Sequence, residues 1–250
     1  MKRTALPVAL VAATLVLAGC TGSDPGGDTA AAPSPSAKTY GCLTKDQAAK
    51  GSFGLEAGTA AGGTLDAYYR DSDAGGAKVA VVLSHQLDGS LCEWAPHLDA
   101  FTKAGYAVLP FTCSGDVTDG IKAAAAHLKG KGVGRVVLIG ASKGGAASLV
   151  AGKLDNPLPV AAIVTLSSPE AYGQFNAALA VKAVKAPTFF AAEEGDAPFN
   201  ADAKSLYDAA TATGKQLKLY PGSNHGAPLL GDGALPDVLA FLAANAPASG

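Results

Sequence analysis

Charge is scarce in this chain. Asp, Glu, Lys and Arg make up 16% of its 250 residues, and 19 basic against 21 acidic side chains leave a formal net charge of −2. With neither sign in excess, the electrostatic footprint of a nucleic-acid binder is missing, and no nucleic-acid partner is expected. No Cys-x-x-Cys or His-Glu-x-x-His spacing occurs, so no metal site is expected. A Gly-x-Gly-x-x-Gly opening a helix and a Gly-Lys-Ser/Thr phosphate loop are also missing, which argues against redox and nucleotide enzymes and leaves no cofactor to expect. What the chain does have is 48% hydrophobic residues, too many for a disordered polymer. Its 31 glycines and many alanines point to tight turns and closely packed helices. A single large domain of this length loses about 70–75% of its unfolded surface on folding.

The first residues read as something other than that domain. Met1-Lys2-Arg3 is a basic head, and residues 5–18 form an uncharged stretch that ends in small residues. That stretch is shorter than the roughly 20 residues a membrane span needs, so it reads as a secretory leader. Leu17-Ala18-Gly19-Cys20 resembles the lipobox of bacterial lipoproteins, which implies cleavage before Cys20 and lipidation of its thiol. The expectation is a leader over 1–19, a lipid anchor at Cys20 and a Gly/Pro/Ser/Ala tether over 20–39, with the protein held on the extracytoplasmic face of a membrane. Cys42, Cys92 and Cys113 then sit in an oxidising compartment, where one disulfide and one free thiol are the simplest account. A Cys42–Cys92 bridge closes a larger loop than Cys92–Cys113 and contributes roughly 4 kcal/mol by chain entropy. Cys92–Cys113 stays open at this point.

From about residue 52 the chain alternates strand and helix. Residues 64–70 alternate in strand fashion, and 78–84, 107–111, 135–139, 160–166 and 187–192 are short apolar runs of buried-strand length. Helical character fills 93–104, 117–130, 143–154, 171–183, 200–213 and 234–245. That alternation predicts an α/β fold, a mostly parallel sheet with helices on both faces and the ligand site at the carboxyl ends of the strands.

At one such end, after RVVLI, stands Gly140-Ala141-Ser142-Lys143-Gly144-Gly145. A Gly-x-Ser-x-Gly between a buried strand and an Ala-rich helix places a hydroxyl on a strained turn above the sheet, over a helix N-terminus that favours developing negative charge. Serine needs a base to take its proton. Of the four histidines, His127 reads as a solvated helix residue, His97 as structural or exposed, and His85 as shaping the loop after its strand. His225 lies in the turn-rich Pro221-Gly222-Ser223-Asn224-His225-Gly226, after the strand-like QLKLY and before the last helix. It is the candidate base. Glu193, Glu194 and Asp196 end the PTFFAA run; one of them must orient the imidazole, and the other two read as a solvated acidic turn.

The order Ser142, acid, His225 is that of one family, and the chain from about residue 52 resembles the α/β-hydrolase superfamily, in particular small lidless bacterial members of the dienelactone-hydrolase and esterase kind. The resemblance implies Ser142 as nucleophile, His225 as base, Asp196 as acid, and an oxyanion hole from the backbone N–H groups of Leu87 and Lys143. The family usually has His-Gly where this chain has His85-Gln86, and a Gln adds a polar contact that Gly cannot. The segment SHQLDGSLCEW also favours pairing Cys42 with Cys92. The side chain of Lys143 is expected in solvent or in a salt bridge. Only about twenty residues separate the strand at 160–166 from the one at 187–192, so no lid is expected, and Ser167, Ser168, Tyr172, Phe199 and Trp94 are candidate walls of an open pocket. The implied activity is that of a carboxylesterase-like serine hydrolase on a small acyl substrate. The competing expectation is a lipid-anchored binding protein that uses the same fold without turnover.

Overall fold

A computed structural model describes residues 37–249. The leader, Cys20 and nearly all of the tether lie outside them. The described chain enters through Lys38, whose Nζ pairs with Asp66 at 2.8 Å, and whose carbonyl accepts from Ser52 Oγ at 2.7 Å. Thr44 opens α1 (Lys45–Gly51) with a reciprocal cap to Gln47. There follow β1 (Ser52–Glu56), β2 (Thr64–Tyr68), β3 (Val79–Ser84), a 3₁₀ helix (Leu91–His97), α2 (Leu98–Lys103), β4 (Ala107–Phe111) and α3 (Val117–Gly130). The second half runs β5 (Arg135–Ala141), α4 (Lys143–Gly152), β6 (Val160–Leu166), β7 (Ala171–Tyr172), β8 (Phe175–Asn176), α5 (Ala177–Ala180), β9 (Thr188–Glu193), α6 (Phe199–Ala209), β10 (Gln216–Tyr220), a short 3₁₀ helix (Ala227–Leu230) and α7 (Ala234–Asn245).

Eight strands form one sheet in the order β1-β2-β4-β3-β5-β6-β9-β10. β2 is antiparallel to both of its neighbours, β1 and β4, and β4, β3, β5, β6, β9 and β10 run parallel. Successive residues of a strand face opposite sides, and the two cores follow that rule. Val136 and Leu138 of β5 join Leu109, Ile121, Leu128 and Leu149 under α3 and α4. Val137 and Ile139 join Trp94, Phe101, Phe241 and Leu242 under α2 and α7. All six residues of β3 are buried, as an inner strand covered on both faces requires.

Cys42 and Cys92 are bonded, with Cα atoms 5.6 Å apart and a separation of 50 residues, and Cys113 is a buried free thiol. The helix expected over 93–104 is broken into the 3₁₀ turn and α2, because Pro96 lies inside it and supplies no N–H. The helix expected over 171–183 is instead the β7–β8 hairpin and the single turn of α5. Gly173 turns the hairpin at φ +55°, and Asn176 caps the turn by accepting from the Leu179 N–H at 2.9 Å. This short stretch is all that stands between β6 and the approach to β9.

Candidate active site

Ser142 occupies the turn from β5 into α4 at φ +48°, ψ −116°, a conformation that costs a non-glycine residue about 1–3 kcal/mol. Close packing sustains it. A Cβ on Gly140 would run into the backbone of Gly144, and one on Gly144 into the carbonyls of Ser84 and His85 at the end of β3. Both glycines of the motif are therefore demanded by backbone approach. The Ser142 N–H donates to Leu166 O at 2.8 Å, which ties the turn to the end of β6.

His225 follows β10, and its loop is pinned on either side. The Asn224 N–H donates to Glu193 Oε2 at 2.6 Å, and the Gly226 N–H donates to Ser167 Oγ at 3.0 Å. The Asp196 carboxylate accepts from His225 Nδ1 at 3.0 and 3.2 Å. The acid is buried, the imidazole is 31% exposed, and the Phe199 ring packs against it at a tilt, with centroids 4.2 Å apart. Asp196 is itself held by N–H donation to Glu193 O at 3.1 Å. Gly195, before it, does not adopt a positive φ; the Gly222 carbonyl lies where its Cβ would be, so glycine is needed there for approach rather than for backbone freedom.

Among the charged and histidine side chains, Glu193, Lys143 and His127 differ from their sequence expectations. Glu193 is 1% exposed, not part of a solvated turn, because β9 carries it one residue beyond the apolar run and the His225 loop folds over it. Glu194 is exposed as expected. Lys143 points inward instead of into solvent: it is buried, and its Nζ donates to Cys113 O at 3.5 Å. His127 is half-buried and stacked on Phe53 at 4.4 Å. His85 is buried and does shape its loop: Nδ1 donates to Gln86 O at 2.6 Å while Nε2 accepts from the Cys113 N–H at 2.9 Å. Burial lowers its pKa, which keeps the ring neutral in that tautomer.

Ser142 and His225 face a common pocket of about 380 Å³, whose walls include Gln86, Leu87, Pro169, Tyr172 and Phe199. Lys143 is the first residue of α4, a position whose N–H has no acceptor within its helix. Leu87, in the loop after β3, is on the pocket wall and 47% exposed. Tyr172 and Phe199 are walls as expected; Trp94 and Ser168 are buried in the packing, and Ser167 braces the His225 loop. A larger depression of about 440 Å³ beside α1, edged by Asp46, Lys50, Tyr68 and Arg70, contains no serine or histidine. Among the described residues no group of three or more His, Cys, Asp or Glu is placed to hold a metal ion, and no helix is long and apolar enough to cross a membrane.

No protein-family model and no curated protein matches the sequence. The fold, by contrast, has many counterparts among solved structures. An esterase from Pyrococcus furiosus superposes with a TM-score of 0.63 at 17% identity, covering 78% of this chain and 91% of that one. The esterase domain of a Rhodothermus marinus protein gives 0.62 at 19% identity, over 78% and 98%. Dienelactone hydrolase from Anabaena variabilis gives 0.57 at 20% identity, over 76% and 94%. With a predominantly parallel eight-stranded sheet, a serine on the strained turn between β5 and α4, and these esterases and hydrolases as its structural counterparts, the chain has the α/β-hydrolase fold.

Proposed function

We propose that the protein is a serine hydrolase that cleaves small carboxylic esters through an acyl-enzyme, with Ser142 as nucleophile, His225 as general base and Asp196 as the orienting acid. The observation that carries the proposal is the convergence of a strained serine and an Asp-bonded imidazole on one pocket. Ser142 Oγ attacks the substrate carbonyl carbon as His225 Nε2 takes its proton, and Asp196 stabilises the imidazolium through Nδ1. The carbonyl π electrons move to oxygen, where the N–H groups of Leu87 and Lys143 receive the charge. Collapse of the intermediate expels the alcohol, protonated by His225. A water, deprotonated by the same imidazole, then releases the carboxylic acid and restores Ser142.

Pocket chemistry favours uncharged substrates. Leu87, Pro169, Ala171, Tyr172 and Phe199 are apolar or aromatic, and no Lys, Arg, Asp or Glu lines the cavity. The short β7–β8 segment suits an open site for compact esters rather than a tunnel for long acyl chains. The esterases among the structural counterparts support the same reading. Wild-type protein is expected to hydrolyse p-nitrophenyl butyrate, and Ser142→Ala to lose about 10³-fold or more of that activity. A folded wild type inert toward activated esters, thioesters and amides contradicts the proposal.

The proposal includes placement. The lipobox-like Leu17-Ala18-Gly19-Cys20 supports a lipid-modified protein on the outer face of a membrane. Intact mass of protein from its native host tests it: a diacylated Cys20 at the N-terminus is expected, and an unmodified chain starting within the tether refutes it.

A further inference from the structure

A set of polar groups that the acyl-transfer steps do not use, His85 buried and Glu93 half-buried, lies behind the oxyanion loop. The loop leaves β3 at His85 and turns over residues 86–89, where the Gly89 N–H donates to Gln86 O at 3.1 Å and Asp88 takes φ +58°. Leu87 is inside this turn. Its N–H belongs to the same planar peptide as the Gln86 carbonyl and points the opposite way, so the orientation of the Leu87 donor follows from how Gln86 is held. His85 Nδ1 holds the Gln86 carbonyl at 2.6 Å. The Gln86 N–H, in the preceding peptide, donates to Glu93 Oε2 at 3.2 Å. Glu93 comes from the 3₁₀ helix next to the disulfide-bonded Cys92, and its carboxylate fills the inside of the turn, where any Cβ on Gly89 would overlap it. Glu93 is not among the residues that line the catalytic pocket.

We propose that Glu93 is a positioning residue of the oxyanion hole, gripping the Gln86 peptide from inside the loop so that the Leu87 N–H is presented to the developing alkoxide. The inference rests on the serine-hydrolase reading above and adds to it a residue that touches neither substrate nor the Asp196–His225 pair. With one peptide gripped by Glu93 and the next by His85, both dihedrals of Gln86 are fixed, and the donor needs no reorganisation when charge develops. Without Glu93 the Gln86 N–H loses its acceptor and the first peptide is free to rotate, in a reaction where about 1 Å of misplacement costs 10²-fold.

Ionisation of Glu93 tunes the grip. Burial pushes its carboxyl up to about 7, against the Gln86 N–H and the Lys143 ammonium, which favour the anion. Of the titratable groups at the ends of β3 and β4, burial lowers the pKa of His85 and raises that of the Cys113 thiol, so neither adds charge beside the loop, and Asp88 lies on the exposed side of the turn. Hydrogen bonds to an ionised acceptor are about twice as strong as those to a neutral one, so the support strengthens as pH rises through neutrality.

The experiment compares wild type, Glu93→Ala and Glu93→Gln as mature proteins on p-nitrophenyl butyrate from about pH 5 to about pH 9, with thermal midpoints for each. The proposal expects Glu93→Ala to lower kcat about tenfold or more with KM changed by less than about twofold, as for a group that acts only on the transition state. Glu93→Gln, whose amide oxygen still accepts from Gln86, is expected to recover most of that loss, and its kcat profile to lack an ionisation near 7 expected of wild type. A folded Glu93→Ala with unchanged kcat, or with kcat and KM altered in proportion, overturns the proposal. If Glu93→Ala does not fold, the Glu93→Gln profile decides: loss of the ionisation supports the proposal and a wild-type profile overturns it. Wild type that neither turns over ester nor reacts with a fluorophosphonate removes the hydrolase reading itself, whereas active, labelled wild type with indifferent Glu93 variants refutes only the role of Glu93.

Discussion

Replacing Asp196 with asparagine isolates the acid from the shape of its side chain. The Asp196 carboxylate is buried and accepts from His225 Nδ1 at 3.0 and 3.2 Å, so an asparagine fits the same space but presents an amide that no longer stabilises an imidazolium and permits the wrong tautomer. The same change in the best-characterised serine triad costs about 10⁴ in turnover, which is about 5.5 kcal/mol of barrier. The stability cost is much smaller, because one hydrogen bond to a partly exposed imidazole is worth about 0.5–1.5 kcal/mol. Asp196→Asn is therefore expected to unfold within a few degrees of wild type, yet to hydrolyse p-nitrophenyl butyrate about 10⁴-fold more slowly with little change in KM. Glu193→Gln is the control, since its amide oxygen still accepts from the Asn224 N–H that Glu193 Oε2 holds at 2.6 Å. Activity of Asp196→Asn within tenfold of wild type, together with a dead Glu193→Gln, moves the acid to Glu193.

Two further perturbations test how the site is supported. Removing the disulfide as Cys42→Ser with Cys92→Ser frees a loop of 50 residues in the unfolded chain, and chain entropy puts the loss at about 4 kcal/mol, or roughly 8–16 °C in thermal midpoint; a shift under about 2 °C contradicts that account. Gly144→Ala sets a methyl against the Ser84 and His85 carbonyls, so it is expected to cost about 1–3 kcal/mol in denaturant unfolding and to lower activity by displacing the loop after β3. A fully active and stable Gly144→Ala shows that the close approach at this turn is dispensable.

The architecture was legible where burial is continuous. The strands β3, β5, β6 and β9 are runs of apolar residues because helices cover both faces of the sheet, and the glycines around Ser142 mark backbone approaches that leave no room for a side chain. Legibility failed where partners come from afar. Nothing local in Glu193-Glu194 tells that the first carboxylate receives the N–H of Asn224, 31 residues later, while the second stays in solvent. Lys143 looked like a surface residue because most lysines are, yet the first turn of α4 directs it inward to the Cys113 carbonyl. The hairpin of β7 and β8 was hidden beneath a helical pattern, because four paired residues leave too short a signal against a background of alanine. Edge strand β1 was missed for the opposite reason: it is half-exposed, and its pairing with β2 rather than a hydrophobic period defines it.

Nucleophilic attack by Ser142 is open to covalent labelling. Mature protein treated with an alkyl fluorophosphonate, digested and read by mass spectrometry is expected to carry one adduct, on Ser142, formed with loss of fluoride. The adduct should disappear in Ser142→Ala and form far more slowly in His225→Ala, since the hydroxyl attacks only when the imidazole takes its proton. A folded wild-type protein that stays unlabelled, or one labelled at a different serine with Ser142→Ala reacting normally, contradicts the account.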